Sequence, residues 1–328
     1  MTVRGSNRGS DRPRHHSEPI HLSVVSPVYR AQDCLRELYR RTSAACDELT
    51  RAWELILVDD ASPDESWRLV AELSAADPRV RGLQLARNFG QHHAITAGLV
   101  ASRGDWVVVM DCDLQDRPEE IPRMYRKALE EGHLCVMARR RVRAGSVISR
   151  LQSWGFYKVF GYLTDLPQYD GSVSNFSLVA RQVVDEIVGM REAVRFYPGF
   201  LFWLGFGTGF VDVQHDPRFA GKTSYTLRKL LHLAQSVILA HSTKPLRLAV
   251  ALGLWISTLA FVTGFLVLIK ALLHGSPVTG WASLMVSMWF LSGIIILTLG
   301  VVGLYVGGIS SEVKGRPFYV VRRRTFDA

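Results

Sequence analysis

The chain has 328 residues, enough for one large domain or two modest ones. Its 39 Lys and Arg residues outnumber 30 Asp and Glu residues, and a net charge of +9 suits phosphorylated substrates or anionic lipid headgroups. Because no zinc-finger spacing, RNP-like aromatic strand or basic heptad region occurs, we favour phosphates and lipid and expect no nucleic-acid partner. Four cysteines without a CxxC pair make a disulfide framework or a zinc site unexpected and fit a reducing compartment.

Residues 1–19 are rich in Arg, Ser, Gly and His and contain almost no apolar side chains. This composition is typical of a disordered basic tail, because it offers little surface to bury. The segment also lacks the apolar core of a secretory signal peptide. We therefore expect the soluble part of the chain to remain in the cytoplasm.

Residues 20–225 have the pattern of one α/β domain. Short apolar runs predict strands at 20–26, 54–60, 80–86, 105–111 and 134–138, and later at 175–180 and 209–215. Amphipathic stretches between the first five runs predict helices at 34–49, 64–76, 91–102 and 118–131. Strands that are almost continuously apolar and alternate with helices favour a parallel sheet covered on both faces.

Two further stretches have the character of surface or interfacial helices. Residues 146–165 are aromatic-rich but too broken by Gly, Ser and Lys to span a bilayer. A helix lying on the membrane and a surface helix packed on the sheet remain alternatives there. Residues 226–245 carry Leu and Ile at helical spacing with Arg228 and Lys229 on the other face, which predicts an amphipathic juxtamembrane helix.

Two transmembrane helices are predicted within residues 246–310. The apolar stretches 248–273 and 281–309 each exceed the roughly 20 residues that span a bilayer. Their connection lacks Lys and Arg, whereas basic residues lie beyond both outer ends and continue in a basic tail at 311–328. The positive-inside rule then predicts a hairpin with both ends in the cytoplasm. Small residues suit packing within the hairpin or between protomers of a homo-oligomer: Gly293, Gly300, Gly303, Gly307 and Gly308.

Asp111 and Asp113 follow directly on the most apolar predicted strand, in the segment DCDLQD. Ligands of open α/β sheets bind at the carboxyl ends of the strands, so these acids lie where a ligand is expected. Two carboxylates one residue apart can hold Mg²⁺ or Mn²⁺ against a diphosphate. An acidic pair at a strand end is also a common solvated turn, and it is the surrounding strand and the Leu114-Gln115-Asp116 continuation that favour the metal site.

Five motifs occur in the order of a known family. They are Ser26-Pro27-Val28-Tyr29, Val58-Asp59-Asp60-Ala61-Ser62, Arg87-Asn88-Phe89-Gly90-Gln91, Asp111-Cys112-Asp113-Leu114-Gln115-Asp116 and Arg218-Phe219-Ala220-Gly221. Together they resemble family 2 glycosyltransferases, in the dolichol-phosphate mannosyltransferase-like, polyprenyl-phosphate group. The resemblance implies a Rossmann-like GT-A catalytic domain, and a C-terminal membrane hairpin occurs in bacterial members of that group.

The resemblance also implies roles for individual residues. It places a nucleotide at Pro27, Tyr29, Asp59, Asp60, Asn88 and Asp111, and a divalent metal at Asp111 and Asp113. It gives catalytic positions to Asp113, Gln115 and Asp170. The acceptor half is basic, and bidentate Arg–phosphate pairing favours a phosphate site at Arg139, Arg140 and Arg143. The resemblance implies that the loop with Arg218, Lys222 and Ser224 folds over the donor diphosphate and binds its phosphates. The alternatives are that the acids at 59 and 60 cap the next helix and that each Arg is a solvated cation near anionic lipid.

Two departures from the family pattern affect these roles. Arg30 and Ala31 stand where Asn-Glu often follows, which leaves uracil and guanine open as the base, with UDP-hexose the favoured donor. Asn175 and Ser177 stand where the pattern has Asp and Arg, so the match around Asp170 is loose. A phosphate monoester with a second pKa near 6 is mostly ionised at neutral pH, so Asp170 would orient the acceptor or the metal rather than remove a proton.

These features predict an inverting, metal-dependent transfer of a sugar from a nucleotide-sugar donor to a polyprenyl phosphate of the undecaprenyl type at the cytoplasmic membrane. A processive polysaccharide synthase shares this core, but its Q-x-x-R-W segment is missing because the sequence contains no Arg-Trp dipeptide. A non-catalytic membrane subunit is the other alternative, and the four acids retained at 59, 60, 111 and 113 disfavour it.

Overall fold

A computed structural model describes residues 21–140, 173–214, 242–274 and 280–327. The strands are β1 (Leu22–Val28), β2 (Trp53–Asp59), β3 (Val80–Leu85), β4 (Trp106–Val109), β5 (Cys135–Arg140), β6 (Val173–Ala180), β7 (Thr208–Val213) and β8 (Val321–Arg324). They form one sheet in the order β7-β5-β6-β4-β1-β2-β3-β8. Six strands run in one direction, and β6 and β8 run against them. The ends of the six parallel strands therefore meet at one side of the sheet, which we call the carboxyl edge.

Helices cover both faces of this sheet, as the continuous apolar strands predict. They are α1 (Leu35–Asp47), α2 (Ser66–Ala76), α3 (Gln91–Ala101), α4 (Ile121–Glu131), α5 (Arg181–Gly189), α6 (Tyr197–Trp203), α7 (Lys244–His274) and α8 (Trp281–Val313). One core joins the sheet to α1, α2 and α4, and the other joins it to α3, α5 and α6. β1, β2 and β3 are buried along their whole length, because both of their faces are covered.

The contact between α3 and β1 depends on a residue without a side chain. A Cβ at Gly98 would collide with Cγ1 of Val25 on β1. Glycine in a helix interior costs about 1 kcal/mol relative to alanine. Here it lets α3 lie close to the sheet, which brings the start of α3 to the carboxyl edge.

The C-terminal segment differs from the expectation of a plain basic tail, because it contributes the edge strand β8. Leu83 pairs with Arg324, and the Gly82 N–H donates to Thr325 Oγ1 at 2.8 Å. The strand reads Val-Arg-Arg-Arg and has no apolar alternation from which a strand could be predicted. Charged residues on a short edge strand are a common protection against edge-to-edge association.

α7 and α8 include two candidate membrane spans, Lys244–Thr263 and Ser287–Val313, with mean hydropathies of 1.8 and 2.2. Neither span is buried inside the structure. The Tyr305 hydroxyl of α8 donates to the Ser242 carbonyl at 2.7 Å, just before α7 begins. The two long helices thus meet at the end nearer the sheet. The predicted helix at 146–165 lies outside the described residues. The predicted juxtamembrane helix at 226–245 lies outside them up to residue 241, and α7 already begins at Lys244.

Candidate functional site

Three loops at the carboxyl edge hold backbone conformations that side chains disfavour. Among the described residues, positive φ outside glycine occurs at Arg30 (53°), Ala61 (53°) and Leu114 (59°). These residues follow β1, β2 and β4, which are neighbours in the sheet. The left-handed region costs an L-residue about 1–2 kcal/mol, and such strain tends to concentrate at functional sites. The clustering therefore marks this edge as a candidate site.

The same loops carry four acids, which we call the acid cluster: Asp59, Asp60, Asp111 and Asp113. Asp59 ends β2 and is fully buried. Its Oδ1 accepts the Ser62 N–H and its Oδ2 accepts the Gln84 amide, each at 3.1 Å. Burial raises the pKa of the Asp59 carboxyl, and the hydrogen bonds from Ser62 and Gln84 oppose that rise. The bond to Ser62 lies in the loop, because α2 begins only at Ser66 and its N-cap residue makes no side-chain cap hydrogen bond, so the expected helix capping by Asp59 is not observed.

Asp60 holds the loop between β3 and α3. Its two carboxylate oxygens accept the backbone N–H groups of Phe89 and Gly90 at 2.7 and 2.8 Å. Gly90 has φ +99°, a conformation that side chains rarely adopt, and this turns both N–H groups toward the carboxylate. Burial raises the pKa of Asp60 to about 6 despite the two hydrogen bonds. A contact with a ribose would use the remaining lone pairs of oxygens that already organise this loop.

Asp111 is oriented by side chains from two other elements. Its Oδ1 accepts the Gln91 amide at 2.6 Å, from the start of α3, and the Asn175 amide at 3.4 Å, from β6. Asp113 Oδ1 accepts the Gln115 N–H at 3.1 Å, which closes the tight turn after β4. Sequence reasoning included Gln91 in a motif without giving it a role, and it treated Asn175 only as a departure from the family pattern.

The Asp111 and Asp113 carboxylates suit a divalent cation as partial ligands. Oxygen donors are what Mg²⁺ prefers, and hydrogen bonds such as that from Gln91 commonly orient metal ligands. Within the described ranges, no group of three or more His, Cys, Asp or Glu side chains is arranged to hold a metal. The pair would therefore fill part of a coordination shell, with substrate phosphates and water completing it, as is usual for Mg²⁺.

The other predicted nucleotide residues surround the acid cluster at different depths. Pro27 is buried within β1, where it lies opposite Val58. Tyr29 is partly exposed, and the Arg30 guanidinium lies 5.5 Å from the centre of its ring. Asn88 is exposed on the β3–α3 loop. Tyr29 and Asn88 are thus accessible from solvent, whereas Pro27 is buried beneath the surface of this edge.

The predicted acceptor residues are only partly described. Arg139 is half exposed, and its Nε donates to Asp212 Oδ1 at 2.9 Å. Arg140 ends β5, and its side chain lies outside the described residues. The remaining predicted positions lie outside them as well: Arg143, Asp170, Arg218, Lys222 and Ser224. An acceptor phosphate at Arg139 would compete with Asp212, a partner that the sequence did not indicate.

Comparison with known proteins agrees with this architecture. The Glycosyl transferase family 2 model matches residues 23–188. The uncharacterized glycosyltransferase YkcC of Bacillus subtilis (strain 168) is 39% identical over 308 residues, covering 94% of this chain and 95% of that protein. The SfII prophage-derived bactoprenol glucosyl transferase of Shigella flexneri is 34% identical over 304 residues, covering 92% and 97%.

A solved structure supports the fold. Mannosyl-3-phosphoglycerate synthase from Rubrobacter xylanophilus superposes with a TM-score of 0.50 and 18% identity, covering 70% of this chain and 74% of that one. This likeness concerns the fold alone. The predicted GT-A architecture and the predicted family are confirmed: the chain belongs to glycosyl transferase family 2 and is a glycosyltransferase.

Proposed function

We propose that this glycosyltransferase transfers a hexose from a UDP-hexose donor to a polyprenyl phosphate of the undecaprenyl type, with inversion and with Mg²⁺ or Mn²⁺ bound, at the cytoplasmic face of the membrane. One observation carries the proposal: the acid cluster lies at the edge of the sheet to which the apolar helices return. Relatives named bactoprenol glucosyl transferase, at 33–34% identity, support a lipid acceptor and favour glucose as the hexose.

The return of the chain from α8 supports a membrane-facing site. Val321 begins β8 and pairs with Leu85, the last residue of β3, so the chain re-enters the sheet at the carboxyl edge. Residues 314–320, between α8 and β8, span at most about 25 Å even when fully extended. A phosphate anchored in the membrane around α8 would therefore be presented on the same side of the sheet as the acid cluster.

The charges around the helices support a cytoplasmic site. Lys244 and Arg247 lie at the start of α7, and Lys314 and Arg316 follow α8. All four are at the end of the hairpin from which the sheet domain continues. The positive-inside rule assigns that end to the cytoplasm, where nucleotide sugars are made available by the cell's metabolism.

The chemistry follows from the ionisation of the acceptor. A lipid phosphate is mostly ionised at neutral pH, so its oxygen can attack the anomeric carbon without a strong general base. The bond from that carbon to the donor's diphosphate breaks on the opposite face, which inverts the configuration. A bound divalent cation would neutralise charge on the leaving diphosphate. Asp111, held by Gln91 and Asn175, and Asp113 would keep the leaving group in place.

The remaining predicted residues divide between donor and acceptor. Pro27, Tyr29, Asp59, Asp60 and Asn88 would surround the nucleotide, and Gln115 would lie near the sugar. The acceptor phosphate would be held by Arg139, Arg140 and Arg143, with Asp170 orienting it. The donor diphosphate would be covered by the loop with Arg218, Lys222 and Ser224. Arg139 would exchange its Asp212 partner for the phosphate, since Arg pairs with either group in a bidentate way.

The test uses the full-length protein in nanodiscs that contain undecaprenyl phosphate. It is incubated with Mn²⁺ and, separately, with UDP-glucose, UDP-galactose, UDP-N-acetylglucosamine and GDP-mannose, and lipid-linked sugar is measured after organic extraction. We expect product with a UDP-hexose, and an Asp113→Asn rate lower by on the order of 100-fold. Asp33→Asn, which changes an exposed acid in the loop before α1, is the matched control. Absence of lipid-linked product with every donor would refute the proposed acceptor, and full activity of Asp113→Asn would refute the metal assignment.

A further inference from the structure

The segment that leaves the second apolar helix touches the β3–α3 loop, residues 86–90. The Ala86 N–H donates to the Val320 carbonyl at 2.8 Å, immediately before β8 begins. This loop supplies the N–H groups of Phe89 and Gly90 that bind Asp60. One end of the loop is thus fixed by the acid cluster and the other by the chain returning from α8.

A second connection starts at the end of α8 itself. Glu312, next to the last residue of α8, accepts the Ala193 N–H at 2.8 Å. Three residues further on, the Phe196 ring meets the His92 ring edge-on at the start of α3, with 5.4 Å between the ring centres. Contacts therefore run from the apolar helix through residues 193–196 to the start of α3, which directly follows the loop that Asp60 binds.

A buried cation stabilises the middle of this path. Arg195 is 3% exposed and donates to the carbonyls of Ile187 and Met190 at 2.8 and 2.9 Å. Its guanidinium lies 4.9 Å from the ring centre of Phe318, in the segment between α8 and β8. Cation–aromatic stacking is strongest when the cation is desolvated, so Phe318 holds the segment against the loop that contains Ala193.

We propose that Glu312 and Phe318 are positioning residues that brace the β3–α3 loop, so that the membrane anchor forms part of the nucleotide site. Neither residue is placed to touch the reacting atoms. They act through residues 193–196 on the start of α3, and through the Ala86–Val320 hydrogen bond on the loop that Asp60 binds. The identity of the ligand rests on the proposed function, whereas the brace rests on the contacts alone.

The test compares full-length variants in nanodiscs by two measurements. Hydrogen–deuterium exchange of residues 86–91 reports on the loop, and titration with UDP or GDP in the presence of Mn²⁺ reports on the site. Glu312→Ala removes the acceptor, Glu312→Gln keeps a carbonyl oxygen in its place, and Glu130→Ala removes an exposed carboxylate on α4 as the matched control. Phe318→Leu tests the second contact independently.

We expect faster exchange of residues 86–91 in Glu312→Ala, together with UDP binding weaker by about fivefold, the net effect of one ordinary hydrogen bond. With saturating acceptor, the KM for the donor should rise more than kcat falls. Glu312→Gln should stay within about twofold of wild type, because a neutral acceptor preserves most of the hydrogen bond. Glu130→Ala should change neither measurement.

Other outcomes would overturn the proposal. If residues 86–91 exchanged at the wild-type rate in Glu312→Ala, Glu312 would not stabilise the loop. If they exchanged faster while nucleotide affinity stayed unchanged, the loop contact would not contribute to the nucleotide site. If Glu312→Ala exchanged rapidly throughout the sheet, Phe318→Leu would be judged by the same two criteria. A wild-type protein that bound neither UDP nor GDP would refute the proposed function, while the exchange of the loop would still decide the brace.

Discussion

Replacing Asp60 by Asn should change how stability depends on pH. The folded protein raises the pKa of Asp60 from 3.8 to about 6, chiefly through burial. Between these values the unfolded chain is already ionised while the folded carboxyl keeps its proton, so this group makes the fold less stable as the pH rises. Each tenfold change in a protonation constant is worth about 1.4 kcal/mol, so the cost above pH 6 approaches about 3 kcal/mol.

Asp60→Asn removes this pH-dependent cost and introduces a constant one. The Asn side chain can accept only one of the two N–H groups, and its NH₂ faces the other, which costs about 1–3 kcal/mol. We therefore expect Asp60→Asn to be less stable than wild type at pH 4 and equal or more stable at pH 7.5. In a domain of this size, the difference in melting temperature should change by on the order of 5–10 °C across that range.

The assay is thermal unfolding of both proteins in detergent, followed by tryptophan fluorescence, from pH 4 to pH 7.5. Comparing the two at each pH cancels the other titrating groups that they share. Asp33→Asn, which changes an exposed carboxyl by the same chemistry, is the matched control for the substitution itself. A constant difference between wild type and Asp60→Asn would refute the reasoning. Nucleotide affinity should fall in Asp60→Asn at every pH, since the loop loses one of its two hydrogen bonds.

Three further changes test other contacts. Gln91→Leu should lower the transfer rate about tenfold at an unchanged melting temperature, because Asp111 loses its closest amide donor; full activity would contradict this. Gly98→Ala should lower the free energy of unfolding by about 1–3 kcal/mol in chemical denaturation, because its Cβ meets Val25, and equal stability would show that α3 can shift freely. Glu54→Gln should lower the free energy of unfolding by about 3 kcal/mol above pH 5 and by progressively less toward pH 3. The same unfolding assay measures this loss, and a loss that grew on acidification would contradict the reasoning.

Local pattern was sufficient to predict the elements that place the acid cluster. β4 is a short run of Trp and Val, and β2 is apolar from Leu55 to Val58, so both strands and the acids at their ends could be predicted. The Pro at the start of the turn before α4 and the left-handed Gly132 after it mark the ends of that helix. For β2, β4 and α4, the local sequence therefore indicates both the type of element and where it begins and ends.

Contacts between distant backbone groups could not be predicted in this way. The ribose contact expected for Asp60 stays a prediction, and its hydrogen bonds to N–H groups about 30 positions further along the chain were not indicated by the sequence. β8 depends on the exposed edge of β3, and its own Arg-rich sequence carries no strand pattern. No element was predicted at Tyr197–Trp203, where Pro198 and Gly199 lie in the first turn of α6. The helix is stabilised by packing of Phe200 into the core.

Buried carboxyl groups at the two edges of the sheet have pKa values shifted in opposite directions. At the carboxyl edge, Asp59 and Asp60 have raised pKa values because burial outweighs their hydrogen bonds, so their ionised forms destabilise the fold. At the other edge, burial also acts to raise the pKa of Glu54, but the Ser23 hydroxyl and the guanidinium groups of Arg81 and Arg103 more than compensate and bring it below its ordinary value.

This contrast has a direct consequence for the pH dependence of the whole molecule. The Glu54 contribution is present above pH 5 and is lost on acidification, whereas the Asp60 cost appears only as the pH rises toward 6. Breaking a buried ion pair typically costs about 3–5 kcal/mol, which is as large as the Asp60 term. As the pH rises, Glu54 therefore adds stability while Asp60 begins to remove it, and the acid cluster contains carboxylates whose burial is only partly offset by hydrogen bonds.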